Sequence, residues 1–235
     1  MFAITPNTLS NFMNSLSKYI ILFSLLLISV AIFLIIFIEN DYYQGISFKI
    51  MFIHVPAAWL SLAIFLTMGV TSIIGLIFKS PTAFTVARSL SPIGLIMSII
   101  VLVTGSIWGN LTWGAYWVWD ARLTSMLILA FIYLGHIILL CSFEHFQKAD
   151  FAASILAIIG LVNLPIVKFS VDWWTTLHQG SSVLKIGGPS MTNDYLITLL
   201  VSFFGILTLS LYWFSNIFYI IVEKRKLERS KLLND

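Results

Sequence analysis

Charged side chains are scarce in this sequence. Asp, Glu, Lys and Arg make up 10% of its 235 residues, whereas a soluble globular domain typically carries about 25%. Hydrophobic residues make up 59%, and the mean hydropathy is +0.98. These values exclude a soluble domain and indicate an integral membrane protein. Since a helical span needs about 20 residues, the chain allows about six helices and leaves no room for a separate soluble domain.

Cysteine and the common catalytic motifs are also lacking. The only cysteine is Cys141, and the sequence contains neither CxxC nor CxxCH, so no internal disulfide can form. There is no HExxH, P-loop, GxSxG or glycine-rich dinucleotide motif, and no pair of carboxylates is placed for acid–base chemistry. The net charge of +3 lies mostly in the C-terminal tail and does not indicate nucleic acid binding. We therefore expect a binding protein rather than an enzyme.

Six apolar runs account for most of the chain. They predict an all-α integral membrane protein, a single membrane domain over residues 1–235, with spans at residues 19–38, 54–78, 91–107, 123–143, 151–169 and 195–222. Pro56 and Pro92 fall at the predicted starts of two spans, where a missing N–H costs little. Asn163 and Pro165 weaken the fifth span near its end. The charged tail at residues 223–235 is expected to be frayed.

The distribution of lysine and arginine predicts the orientation. With six spans, both termini share one side of the membrane, which carries nine of the 13 basic residues: Lys18, Lys79, Arg88, Lys148, Lys224, Arg225, Lys226, Arg229 and Lys231. The other side carries Lys49, Arg122, Lys168 and Lys185. Because basic residues favour the cytoplasmic side, both termini are predicted to be cytoplasmic. Two loops, at residues 108–122 and 170–194, then face the outer side, each with a short amphipathic helix.

The first outer loop is rich in tryptophan. Its sequence, WGNLTWGAYWVWDAR, holds four of the eight tryptophans. If residues 113–120 are helical, one face carries Trp113, Tyr116, Trp117 and Asp120, which would form a platform for a large planar ligand. Tryptophans also form belts at both membrane interfaces, but seven of the eight map to the outer side here, which favours a local site. For Trp59 or Trp108 alone, a belt position remains open.

Two histidines are predicted to lie on the outer side together with these tryptophans. His54 opens the second span, and His178 follows Trp173 and Trp174 in the segment WWTTLHQG. If this segment is helical, Trp174 and His178 are neighbours at positions i and i+4. Two neutral imidazoles can ligate haem iron from opposite faces.

The remaining polar groups of the outer side are candidates for supporting such a ligand. Haem propionates need cationic partners, for which Arg122, Lys49 and Lys185 are candidates, with Arg122 favoured for its planar fork. Asp120 could hold Arg122 or the ring N–H of a ligating histidine. A lone histidine at an interface is more often a simple hydrogen-bonding residue.

The other histidines and charges have simpler interpretations. His136, inside the fourth span, is expected to make an interhelical hydrogen bond, and His145 is expected to be a solvated turn residue. Lys168 and Asp172 are interpreted as interface charges.

Three segments carry a resemblance to a known family. WGAYWVWD resembles the WGxxWxWD motif of the tryptophan-rich haem-handling proteins, and KIMFIHVPAAW, WGAYWVWDARLTS and NLPIVKFSVDWWTTLHQGSS are similar to segments of the CcmC family of cytochrome c maturation. The resemblance covers the chain from end to end. It assigns the family's two outer histidines to His54 and His178 and its motif to Trp113, Trp117, Trp119 and Asp120. The family often has arginine where this chain has Lys49, so Arg122 is preferred for the propionates.

The resemblance also implies a function. Members of the family present haem b on the outer face of the bacterial inner membrane, or of the mitochondrial inner membrane, and help to load it onto the haem chaperone CcmE. They work beside the ABC transporter subunits CcmA and CcmB and the small subunit CcmD. The haem would then have His54 and His178 as its axial ligands and be surrounded by Trp108, Trp113, Tyr116, Trp117, Trp119, Asp120, Trp173 and Trp174.

Two other functions remain open on the residues alone. A b-type membrane oxidoreductase would carry histidine pairs at matching depths inside its spans, whereas His136 has no partner of that kind. A transporter permease would have polar or broken helices in the middle of the membrane, and only the segment from Asn163 to Pro165 suggests a break.

Overall fold

The computed structural model describes residues 5–178, 180, 183 and 187–234, and within them the chain is helical without a β-strand. The helices are α1 (Pro6–Phe37), α2 (Met51–Phe78), α3 (Pro81–Trp113), α4 (Ala121–Cys141), α5 (Phe146–Gly160), α6 (Asn163–Trp173) and α7 (Asn193–Asn234), with a short 3₁₀ helix (Ile46–Ile50) before α2. Six helical segments of the described residues are long and apolar enough to cross a membrane, because α5 and α6 together form one of them. The predicted fold class is confirmed.

Local capping determines where several helices begin. Thr5 accepts a hydrogen bond from the Thr8 N–H, and Ser80 accepts one from the Ala83 N–H, and each cap is followed by a proline in the first turn of α1 or α3. As a result α1 and α3 begin well before the apolar runs that predicted them. The helix α7 continues through the charged tail, which we had expected to be frayed.

Both prolines predicted at span starts lie inside helices instead. Pro56 is the sixth residue of α2, and Pro92 is the twelfth of the 33 residues of α3. The polar first turns of α3 concealed its true start, because their side chains are satisfied within the helix itself. Thr85 donates to the Pro81 carbonyl and Ser89 donates to the Thr85 carbonyl, each at 2.7 Å.

The core of the bundle is formed by α2, α3 and α4, with α7 against α2 and α3 and α1 packed on α7. Close approach depends on small residues. The ring of Tyr133 on α4 lies where a side chain at Gly94 on α3 would be, and its hydroxyl donates to the Ser61 carbonyl of α2 at 2.8 Å. This hydrogen bond ties the three central helices together below the site described next.

A break between α5 and α6 shapes the other wall of the bundle. The N–H groups of Leu161 and Val162 bond to carbonyls three residues earlier, and the side chain of Asn163 donates to the Ser125 carbonyl of α4 at 2.9 Å. The sequence predicted a weakness at Asn163 and Pro165 near the end of the span, but the span continues to Trp173, so the break is internal. Whereas α5 packs on both α2 and α4, α6 packs mainly on α4, which leaves space between α6 and α2.

An ionic cluster joins the helices at the end of the bundle that carries the termini. The buried carboxylate of Asp150 accepts from Arg88 at 2.9 Å and from Arg225 at 2.6 Å, and both guanidiniums lie over the ring of Phe146. His145, expected to be solvated, is half exposed and lies 3.4 Å from Glu228.

His136 differs from its expectation. It is buried on α4, and its Nδ1 has no hydrogen-bond partner within the described part of the chain, so the expected interhelical bond is not observed at that atom.

We expect Asp150→Ala to lower the stability of the fold by roughly 3–5 kcal/mol, because it leaves two nearly buried guanidiniums without their shared carboxylate. The measurement is the midpoint of thermal unfolding in detergent. Glu223→Ala is the matched control, since it removes an ion pair with Lys226 that is largely exposed and should change stability by less than about 1 kcal/mol. Equal losses of stability in the two variants would contradict the role of Asp150 as the shared partner of Arg88 and Arg225.

Candidate functional site

The tryptophan-rich segment is a helix end followed by an irregular loop. α3 ends at Trp113 because Gly114 adopts φ +74° and its N–H bonds to the Asn110 carbonyl at 3.1 Å. The loop is held against α3 by Ser106, whose hydroxyl donates to the Tyr116 carbonyl at 2.7 Å. The prediction of a helix over residues 113–120 is therefore wrong, and so is the shared face of Trp113, Tyr116, Trp117 and Asp120.

Asp120 ends this loop and starts the next helix. Its Oδ1 accepts from the Leu123 N–H at 2.8 Å and thus caps α4, while its Oδ2 lies 3.4 Å from Nδ1 of His178. The carboxylate is 6% exposed. Of its two predicted partners, Asp120 therefore contacts the histidine, and it makes no hydrogen bond to Arg122 within the described residues.

His54 faces this loop from the first turn of α2. Its Nδ1 lies 2.9 Å from the hydroxyl of Thr104 on α3, and its ring meets that of Trp108 edge-on at 5.8 Å. Gly105 makes the approach possible, because a Cβ there would lie 2.9 Å from Cε1 of His54. The position of the imidazole is thus set by two neighbouring residues of α3.

His178 lies in an irregular segment that follows α6. The predicted helix over WWTTLHQG is wrong, since α6 ends at Trp173 and the described residues beyond it are not helical. The side chain of Thr176 accepts from the His178 N–H at 3.2 Å, and the imidazole packs edge-on against Trp113, with 4.8 Å between ring centroids. With Asp120 on one nitrogen and Trp113 on its side, the ring has a defined orientation.

The two imidazoles lie between two clefts, and both histidines and Gly105 line each of them. The larger cleft has about 830 Å³ of empty space, including the part open to the surroundings, and its other walls include Trp59, Leu62, Val101, Trp117, Arg122, Met126 and Lys168. The smaller cleft, of about 510 Å³, includes Gln44, Trp108, Trp113 and Leu177. Together they give a ligand access to both imidazoles.

The larger cleft presents hydrogen-bond donors that lack acceptors. Arg122 is partly buried, and no hydrogen bond or ion pair engages its guanidinium within the described part of the chain. The indole N–H of Trp117 is buried and also has no partner among the described residues. Lys168 lines the same cleft although it was interpreted as an interface charge. Such a wall is suited to a ligand with negative charge at one edge.

The charges around His178 favour its neutral form. Burial lowers the pKa of His178 below its ordinary value of 6.5, and the positive charge of Arg122 lowers that pKa further, whereas Asp120 raises it. A neutral imidazole whose Nδ1 is engaged by a carboxylate leaves its Nε2 as the group able to bind a metal.

Several predicted site residues lie outside the clefts. The ammonium of Lys49 donates to the Ile36 carbonyl at 3.2 Å. Trp119 is 77% exposed, and Tyr116, Trp173 and Trp174 are also exposed. We define these four aromatic residues as the exposed aromatic surface. Lys185 lies outside the described residues.

Sequence reasoning did not find Thr104, Gly105 or Gln44. Gln44 accepts from the indole N–H of Trp108 at 2.8 Å and so fixes one wall of the smaller cleft. None of the three has a local sequence signature, because each acts on a residue about 50 or more positions away. Lys168 did have one, since a cation inside an apolar span is by default a functional candidate.

The fold and the site define a multi-pass membrane protein with a cleft lined by histidine and tryptophan at one end of its helix bundle. The sequence profile of the family described as Heme exporter protein C (CcmC) matches residues 1–232. The chain belongs to this family.

Individual relatives agree with this assignment. The chain is 45% identical over 178 residues to Heme exporter protein C of Bradyrhizobium diazoefficiens, covering 76% of this chain and 68% of the relative. It is 44% identical over 202 residues to Heme exporter protein C of Escherichia coli K12, covering 84% and 80%. It is also 41% identical over 210 residues to a putative cytochrome c biosynthesis ccmC-like mitochondrial protein of Marchantia polymorpha, covering 89% and 87%. The predicted family is confirmed, and haem is the cargo that the family name specifies.

We expect substitutions of the two charged neighbours of His178 to shift its pKa in opposite directions. Arg122→Gln should raise the pKa by removing a positive charge, and Asp120→Asn should lower it, while asparagine still caps α4. Because the folded-state pKa lies below 6.5, the stability that His178 contributes is present above pH 6.5 and is lost as the pH falls through the folded-state pKa.

The measurement is an NMR titration of ¹³C-labelled histidine in detergent micelles, with His178→Gln to assign the resonance. Shifts of the same sign in the two variants would contradict the proposed electrostatics.

Proposed function

We propose that this protein binds haem b between His54 and His178 and delivers it to the haem chaperone CcmE. The observation that carries the proposal is that both imidazoles line the same two clefts, each with its Nδ1 next to a hydrogen-bonding partner. Their Nε2 atoms are thereby left to bind iron from opposite faces of a porphyrin.

The ligand set suits iron in a macrocycle better than a bare ion. Within the described residues, no group of three or more His, Cys, Asp or Glu side chains could hold a metal ion. A porphyrin supplies four nitrogen ligands, so two histidines complete the iron. Trp113 and Trp108 contact the two imidazoles and form the walls of the smaller cleft, which suits the apolar edge of the ring.

The larger cleft suits the anionic edge of haem. Arg122, Lys168 and the Trp117 N–H can bind the two propionates, and Arg122 offers a planar fork for a carboxylate. Lys49, the other candidate that the structure describes, is directed to a backbone carbonyl of α1 and lines neither cleft. The apolar walls formed by Leu62, Val101 and Met126 would cover the porphyrin face towards the bundle.

The charge distribution and the family support the orientation and the partners that we propose. Since nine of 13 basic residues lie with the termini, we place the termini in the cytoplasm and the haem site on the outer, periplasmic face of a bacterial inner membrane. Trp119 of the exposed aromatic surface packs on Trp117, which lines the larger cleft, and this surface is where we expect CcmE to dock. CcmA, CcmB and CcmD would complete an ABC transporter complex. In this proposal the protein handles haem as cargo and is not a catalyst.

We expect the purified protein to show the Soret band of low-spin, six-coordinate haem. His54→Gly and His178→Gly should each convert it to a five-coordinate spectrum, and the double variant should lose most of the haem. His145→Gly, at the other end of the bundle, is the control and should leave the spectrum unchanged.

Mixing with haem-free CcmE should then transfer the haem from the unmodified protein. If low-spin haem persists in both single variants, His54 and His178 are not the axial ligands. If the protein retains its haem in the presence of CcmE, the proposed delivery to CcmE is wrong.

We expect Arg122→Gln to weaken haem binding about ten- to a hundredfold, the loss typical of a charge-assisted hydrogen bond to an ionised group. Lys49→Gln is the matched control and should leave the dissociation constant within about twofold, because Lys49 lies outside both clefts. Haem titration followed at the Soret band measures both constants. A larger loss of haem affinity in Lys49→Gln than in Arg122→Gln would contradict this assignment and place the propionates near Lys49.

A further inference from the structure

The two imidazoles of the site are held by chemically different acceptors. His178 faces the carboxylate of Asp120, whereas His54 faces the hydroxyl of Thr104, which is neutral. Thr104 Oγ1 also lies 2.6 Å from the Ile100 carbonyl of its own helix. A carbonyl oxygen can only accept, so the single hydroxyl proton of Thr104 is directed to Ile100.

This arrangement determines the tautomer of His54. Because the hydroxyl proton of Thr104 is donated to Ile100, Thr104 Oγ1 can only accept a hydrogen bond from His54. Nδ1 of His54 must therefore carry the ring proton. Nε2 then holds the lone pair. The close approach at Gly105 fixes the ring against α3 at the distance this hydrogen bond requires.

We propose that Thr104 is the positioning residue that makes His54 an Nε2 ligand, and that its neutral acceptor makes His54 the weaker axial ligand, the one that dissociates when haem is handed over. This inference rests on the proposed function. An anionic acceptor increases the basicity of a ligating imidazole more than a neutral hydroxyl does, so the iron bond to His178 is the stronger one.

The position of each histidine in the fold favours the same order of release. His54 belongs to α2, whose residues Met51 and Phe52 beside it are buried in the core. His178 belongs to the irregular segment after α6, beside the exposed aromatic surface. Haem that moves out of the bundle towards a partner therefore separates first from His54 and can stay bound to His178.

The first test compares Thr104→Val with Thr104→Ser in the full-length, haem-loaded protein. Valine keeps the shape of threonine but removes the acceptor, whereas serine keeps the acceptor. Carbon monoxide binds ferrous haem only after one axial ligand leaves, so its binding rate reports the weaker ligand. We expect Thr104→Val to accelerate binding roughly three- to tenfold, the effect of one lost neutral hydrogen bond, and Thr104→Ser to restore the original rate.

The matched control is Thr85→Val. Thr85 is buried on the same helix and donates only to the carbonyl four residues earlier, so its loss repeats the change within the helix without affecting His54. The rate should not change in this variant. Equal rates for Thr104→Val and the unmodified protein, or an equal acceleration by Thr85→Val, would overturn the role of Thr104 while leaving bis-histidine binding intact.

The second test identifies the ligand that leaves. If carbon monoxide replaces His54, the C–O stretching frequency of the unmodified protein should match that of His54→Gly, in which the same site is vacant, and differ from that of His178→Gly. A match with His178→Gly instead would overturn the order of release. If the unmodified protein shows no six-coordinate haem at all, the proposed function fails and this inference fails with it.

Discussion

The carboxylate of Asp120 is the contact on which the site depends. One of its oxygens caps α4, and the other faces His178, which lies 58 residues later in an irregular segment. The same side chain therefore fixes the start of α4 and the place where this segment packs against the start of that helix. Because the carboxylate is nearly buried, its charge acts on His178 with little screening by solvent. The tryptophan-rich loop brings Asp120 to this point directly after α3 ends at Trp113.

The space beside this contact comes from features of the surrounding helices. Gly105 lets His54 approach α3, and the break after Gly160 separates α6 from α2, so the larger cleft extends between them down to Leu62 and Val167. Below the cleft, the hydrogen bond between Tyr133 and Ser61 closes the bundle again. The structure thus combines a tightly packed centre with an opening at one end, and the sequence places most of its tryptophans at that end.

The sequence was sufficient to predict the number of spans, because that number follows from the length of the apolar runs. It was also sufficient to group His54 and His178 with the tryptophans, because successive loops lie on alternate sides of the membrane. It failed at helix ends and in the loops. The start of α3 was missed because Thr85 and Ser89 satisfy their hydroxyls within the helix, so a polar stretch is helical. The helix predicted over residues 113–120 is wrong because α3 ends at Trp113, where the left-handed conformation of Gly114 outweighs the apolar periodicity. Contacts such as that between His54 and Thr104 depend on tertiary packing and have no local pattern.

The arginines at the two ends of the bundle differ in whether a carboxylate binds them. At the end with the termini, Arg88 and Arg225 share the carboxylate of Asp150, as a buried charge requires. At the other end, Asp120 is close to Arg122 in sequence but is engaged by the α4 cap and His178, so the guanidinium of Arg122 stays without an acceptor among the described residues. Burying this cation costs stability, and the nearby carboxylates of Asp120 and Asp172 offset that cost only in part. An anionic ligand would complete the guanidinium, and in the proposed complex a haem propionate is that ligand.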